Sequence, residues 1–110
     1  MIRGAVYRVD LGPARGHAPR GKRLGIVVSP SDMAWSVTTI IPTSTSAQDA
    51  VFRPRLEIAG RETLVLCDQV RTIDTDYAVG DPAAFLNRDA MAEVESALAR
   101  YLGLVPGLPK

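Results

Sequence analysis

The sequence predicts a mainly β fold, a small twisted barrel or half-barrel with one C-terminal helix covering an opening. Three observations carry the prediction. Residues 1–80 divide into short, β-branched apolar runs separated by Pro and Gly. After Asn87 the apolar spacing changes from two to three and four, the step of an amphipathic helix. The chain has 110 residues and 46% hydrophobic content, enough for a single domain over 1–110 with a core that needs no disulfide or metal.

In chain order, Ala5 to Leu11 alternates after Val6, as a strand with one buried face does, and stops at Gly12-Pro13. The following loop contains Gly16, Pro19 and Gly21, which disfavour helix. Leu24 to Ser29 is a second strand stopped by Pro30, which puts Arg23 at the mouth of a rigid element. Pro30 to Ser36 is too broken for a strand, and its Trp35 either folds back on the core or stacks on an unpaired base. Val37 to Ile41 is a third strand ended by Pro42, followed by the hydroxyls of Thr43, Ser44, Thr45 and Ser46. Val51 to Ile58 reads as an edge strand, because Pro54 lacks the donor a central position needs. Gly60 turns the chain, Glu62 to Cys67 and Gln69 to Ile73 form one bent strand or two short ones, and Tyr77 to Val79 adds a last short strand. The helix carries Met91, Val94, Leu98 and Tyr101 on one stripe, with Asn87 or Asp89 as its cap and Gly103 and Pro106 at its end. Val105 to Lys110 reads as a flexible tail.

The net charge of +1 conceals an uneven distribution. Leu11 to Arg23 holds Arg15, Arg20, Lys22, Arg23 and His17 with no acid, whereas Asp74 to Glu95 holds six acids against Arg88. A solvated loop with a few like charges is the plain reading, and a polyanion site is the functional one. The lone Cys67 excludes disulfides and cysteine zinc sites within the monomer and fits a reducing cytoplasm. No apolar run approaches the roughly 18 residues needed to span a bilayer, so no membrane role is expected. His17 is the only histidine, and Asp74 with Asp76 makes a poor metal site, so neither a metal nor a cofactor is expected. Gly16 to Lys22 imitates the start of a phosphate-binding P-loop, but Arg23 replaces the Ser or Thr that holds magnesium and a strand follows instead of a helix.

If the second and third strands pair as an antiparallel hairpin, Arg23 at the start of one lies beside Ser44 at the end of the other. One guanidinium and several hydroxyls suit a phosphodiester: the cation stabilises charge on pentacoordinate phosphorus while hydroxyls hold non-bridging oxygens. RNA supplies its own nucleophile in the 2′-OH. Structural strand ends remain the alternative for the same residues.

At these positions the sequence resembles the MazF/PemK family of toxin endoribonucleases, related in fold to the Kid and CcdB toxins. Gly4 to Pro13 resembles the family's opening strand, Gly21 to Pro30 its second, Thr39 to Ser46 its third, and Cys67-Asp-Gln-Val-Arg-Thr-Ile73 its Asp-Gln-Val motif. The resemblance implies an SH3-like barrel acting as a homodimer, cutting single-stranded RNA at a short sequence without metal, and leaving 2′,3′-cyclic phosphate and 5′-hydroxyl ends. It also implies neutralisation by a small MazE-like antitoxin, whose acidic segment would compete for the basic groove. Arg23 falls at the catalytic arginine and Ser44 at a threonine that contacts the scissile phosphate. Leu24 stands where Pro is usual, and Ala18 where many relatives carry a glutamate, which makes neighbouring His17 the candidate for the acid-base role. Arg15, Arg20 and Lys22 are expected to gather the RNA backbone, with Thr43 among the phosphate-holding hydroxyls. Trp35, Thr45, Gln69 and Arg71 are the expected base contacts. Two other readings compete: a small barrel that binds nucleic acid or a partner without cutting, and a gyrase-directed toxin of the same fold.

Overall fold

Among the described residues, seven strands precede one helix: β1 Ala5–Asp10, β2 Lys22–Val27, β3 Val37–Ser44, β4 Arg55–Ile58, β5 Arg61–Val65, β6 Arg71–Asp74, β7 Ala78–Phe85 and α1 Arg88–Tyr101. The computed structural model describes residues 1–13, 21–30 and 36–104. Arg15, His17, Arg20, Trp35 and the tail 105–110 lie outside the described residues.

The strands form one curled antiparallel sheet in the order β4-β5-β3-β2-β1-β7, with β6 also paired to β3. Strand β3 organises it. Its first half pairs β6 from Val37↔Asp74 to Ile40↔Arg71, and its end pairs β5 at Thr43↔Val65 and Ser44↔Leu64. Its other edge pairs β2 from Val27↔Ile40 to Gly25↔Pro42. The strand therefore runs through Pro42 instead of stopping there. Pro42 sits where the neighbour changes from β6 to β5, so no ladder bond requires its missing N–H, while its carbonyl accepts from Leu66 N at 3.0 Å.

Strand alternation builds two clusters. Val6, Ile26 and Ile41 stand opposite one another across β1, β2 and β3 and pack with Met91, Val94 and Ala97 of α1. Their ladder neighbours Val27 and Ile40 face the other way, with Val9, Leu11 and Ile73. Asn87 caps α1 by accepting from Ala90 N at 2.8 Å. At the other end Gly103, at φ 70°, allows Gly103 N to reach Arg100 O and Leu104 N to reach Ala99 O, the paired bonds of a Schellman motif. Ala97 joins the buried stripe, whereas Tyr101 is 45% exposed and its ring packs on Phe52 at 5.3 Å.

Two further expectations need correction, and one open alternative is decided. The edge strand begins at Arg55, because Val51 to Pro54 forms a turn in which Arg53 N bonds Ala50 O. Of the two readings of Glu62–Ile73, the structure has the second: two short strands, β5 and β6, separated by a 3-10 turn at Cys67–Gln69. The last strand is eight residues long and passes through Gly80 and Pro82. It tolerates them because it is an edge strand and carries a bulge: Val6↔Ala84 and Arg8↔Val79 leave extra β7 residues opposite Tyr7.

Candidate phosphodiester site

The cationic loop is pinned at its base. Leu11 N donates to Gly21 O at 2.9 Å and Gly21 N to Gly12 O at 2.8 Å, with both glycines at positive φ. Lys22 and Arg23 therefore leave that base in a fixed register, opposite Asp10 and Val9.

Beyond the last β2–β3 pair, the two strands are tied by side chains. Arg23 Nη1 donates to Thr43 O at 3.0 Å, and Thr43 Oγ1 donates to Leu24 O at 2.9 Å. The guanidinium is thus held at the end of β3, beside Ser44. Thr43 is 4% exposed with its hydroxyl committed to a carbonyl, so it fixes the strand end instead of offering a contact surface. Ser44 Oγ accepts from Ser46 N at 3.2 Å, which leaves its hydroxyl hydrogen available to donate outward.

These residues line an open groove of about 480 Å³. Among the described residues its cations are Arg8, Lys22, Arg23 and Arg61, its hydroxyls are Thr43, Ser44, Thr45, Ser46 and Thr63, and none of its lining is a carboxylate. A polyanion fits that lining. A larger groove of about 700 Å³ contains Gln69, Arg71 and Tyr77 together with Asp10, Asp68 and Asp74. Among the described residues its carboxylates outnumber Arg71, even with Asp68 paired to Arg53, so this groove suits a phosphate chain less well than the first. The two grooves meet at the β1–β2 pair Asp10↔Lys22.

Among the expected site residues, the structure brings Lys22, Arg23, Thr43, Ser44 and Thr45 into one groove and places Gln69 and Arg71 in the other. Arg15, His17, Arg20 and Trp35 fall outside the described residues. Three contributors escaped the sequence reading. Arg8 shows only as a polar position in β1, and Arg61 reaches the groove through the tight turn Ala59-Gly60, which carries φ of 52° and 80°. The third is Arg53, which grips Asp68 with two bonds, Nε to Oδ1 at 2.9 Å and Nη2 to Oδ2 at 2.7 Å. Those bonds from Arg53 hold the Asp68 carboxyl below its ordinary range, and Gln69 Nε2 adds a contact to Oδ2 at 3.3 Å. The pair fixes the turn between β5 and β6. Beside it, Cys67 is fully buried with its thiol toward Val94 O at 3.9 Å, and burial, then the Asp68 charge, pushes it up to about 12. Such a thiol is inert as a nucleophile at neutral pH.

No helix among the described residues is long and apolar enough to cross a membrane. Residues 2–102 match the family model of PemK-like, MazF-like toxins of type II toxin-antitoxin systems. A Mycobacterium tuberculosis protein named "Putative toxin Rv3098A" is 62% identical over 105 residues, covering 94% of this chain and 99% of that protein. The endoribonuclease PemK of Escherichia coli is 30% identical over 109 residues, covering 93% of this chain and 82% of PemK. Among solved structures, MazF of Deinococcus radiodurans superposes with a TM-score of 0.81 at 25% identity, covering 94% of this chain and 96% of that one.

Proposed function

The chain belongs to the PemK-like, MazF-like toxins of type II toxin-antitoxin systems, and from that premise we propose that it cuts single-stranded RNA at a short sequence without metal. The observation that carries the proposal is the groove in which Arg23 is fixed beside Ser44 with cations and hydroxyls and, among the described residues, no carboxylate.

The substrate supplies the nucleophile. The ribose O2′ attacks phosphorus, the bond to O5′ breaks, and the products end in a 2′,3′-cyclic phosphate and a 5′-hydroxyl. Negative charge builds on the non-bridging oxygens as phosphorus becomes pentacoordinate. Arg23 meets that charge with a planar fork of donors, and Ser44 adds its hydroxyl hydrogen. A guanidinium is a poor base, so Arg23 serves as electrostatic stabiliser. His17 takes the 2′ proton, and that proton is returned to O5′ as it leaves. Lys22, with Arg15 and Arg20 of the same loop, attracts the RNA backbone. Gln69, Arg71, Thr45 and Trp35 contact bases, the first two from the neighbouring groove, whose carboxylates suit nucleobase amines better than phosphates. The active species is a homodimer in the cytoplasm, and an acidic segment of a MazE-like antitoxin silences it by filling the Arg23 groove.

The test is an end-labelled RNA cleavage assay in chelator with wild type, Arg23→Ala and Ser44→Ala. Cyclic phosphate ends are expected, with cleavage falling on the order of 10²-fold or more in Arg23→Ala and by a smaller factor in Ser44→Ala. Intact RNA of varied sequence after incubation with folded, antitoxin-free wild type would refute the proposal.

A further inference from the structure

Arg8 and Arg61 are not needed for the chemistry at one phosphorus, yet both open into the Arg23 groove. Neither has an ion-pair partner among the described residues, although three other arginines, Arg3, Arg53 and Arg55, do. Among the described residues, their neighbours in the groove include no acid that would neutralise them. Both side chains are exposed, so each guanidinium is hydrated and ready to exchange water for an anion.

Their placement follows from the ladder. The sheet crosses from β5 through β3 and β2 to β1, three steps of about 4.8 Å each, or roughly 14 Å of backbone. Arg61 starts β5, three residues before Leu64, and Leu64 pairs with Ser44. Because β3 and β5 are antiparallel, those three residues carry Arg61 past the end of β3 on one flank of the hydroxyl run. Arg8 lies on the opposite flank, paired with Leu24 next to Arg23. The Ala59-Gly60 turn fixes the Arg61 end, and the β1–β2 ladder fixes the Arg8 end.

We propose that Arg8 and Arg61 hold the backbone phosphates on either side of the scissile one, so that the site engages at least three consecutive phosphates of a single strand. This rests on the endoribonuclease reading and adds to it. The two arginines are positioning residues: they set which linkage lies between Arg23 and Ser44, and they act in binding instead of in the chemical step.

The experiment measures binding and cleavage separately. Binding of a fluorescent single-stranded RNA oligonucleotide of mixed sequence is followed by anisotropy at increasing salt for wild type, Arg8→Ala, Arg61→Ala, Arg61→Lys and Arg88→Ala. The slope of log affinity against log salt should flatten by about 0.7 for each alanine variant in the groove. Arg61→Lys should retain the wild-type slope, and so should Arg88→Ala, which lies on α1 away from the groove. In cleavage, Arg8→Ala and Arg61→Ala should raise KM about three- to tenfold with kcat unchanged. Unchanged slopes and KM in both alanine variants would overturn the inference while leaving the cleavage reading intact. Absence of cleavage by wild type would overturn that reading, and the binding slopes would still decide whether the two arginines hold phosphates.

Discussion

Replacing Gly25 by alanine tests how tightly the core dictates the position of Arg23. Gly25 lies two residues from Arg23, opposite Tyr7 on one side and Pro42 on the other. A methyl there would meet Ile40 Cδ1 and Val9 Cγ2, each at 3.2 Å, and Ile40 Cβ at 3.6 Å. Carbon atoms prefer about 3.5–4.0 Å, so two contacts are too close. In open space the substitution would gain about 0.5–1 kcal/mol, because alanine loses less chain entropy on folding than glycine. Here Ile40 is 0% and Val9 1% exposed, and both are β-branched and stiff at χ1, so neither can swing away. Overpacking by one methyl costs about 1–3 kcal/mol, which leaves a net loss of about 1–2 kcal/mol and lowers Tm by several degrees. Ile40→Val deletes the clashing Cδ1. It costs about 0.5–1.5 kcal/mol alone, but the double variant should recover about 0.5–1 kcal/mol relative to additivity. Urea and thermal unfolding of the four proteins, followed by circular dichroism, measures the cycle. A Gly25→Ala protein as stable as wild type, or strictly additive losses, would refute the packing argument.

Removing the carboxylate that Arg53 grips should cost about 2–3 kcal/mol at pH 7, since Asp68→Asn strands a largely buried guanidinium. The Asp68 carboxyl is depressed in the folded state, so its contribution is complete above the unfolded value of about 3.9 and disappears as pH falls through the lower folded value. Urea midpoints from pH 7 to pH 2.5 should therefore fall more steeply for wild type than for Asp68→Asn, and parallel curves would count against the pair. The Cys67 thiol, raised to about 12, has the opposite dependence. Its contribution is intact below the unfolded value of about 8.5 and is lost as pH rises toward the folded value, so wild type should weaken there more than Cys67→Ala. In native protein at pH 8 a thiol reagent should label Cys67 only at the rate of unfolding; immediate labelling would contradict its burial. His17→Ala should lower the cleavage rate and remove the acidic limb of its pH profile, and an unchanged profile would reassign the proton transfer.

The β-rich fold and its terminal helix were legible because alternation and the change of period are local signals. The Arg23–Ser44 juxtaposition was legible for a related reason: hairpin pairing converts sequence order into proximity. What escaped depends on partners distant in sequence. Pro42 reads as a terminator until β6 and β5 are seen to succeed each other along the edge of β3. Gly80 and Pro82 likewise read as breakers, because no local pattern announces a bulge accommodated on an edge strand. Arg53 meets Asp68 across fifteen positions, and Arg61 joins Arg8 only through two intervening strands, β3 and β2. Neither relation leaves a spacing that a linear reading can detect.

Two of the edges of the sheet, β4 and β7, resist growth. A flat exposed strand is a template on which identical chains can stack into fibrils. β4 offers only four residues, with Arg55 and Glu57 alternating along it. β7 is long enough to be hazardous, with Val79 and Phe85 more than half exposed, but Pro82 withholds a donor and the bulge bends the template midway. The same interruption that made β7 read as a short strand thus blunts that edge of the sheet against pairing with another copy.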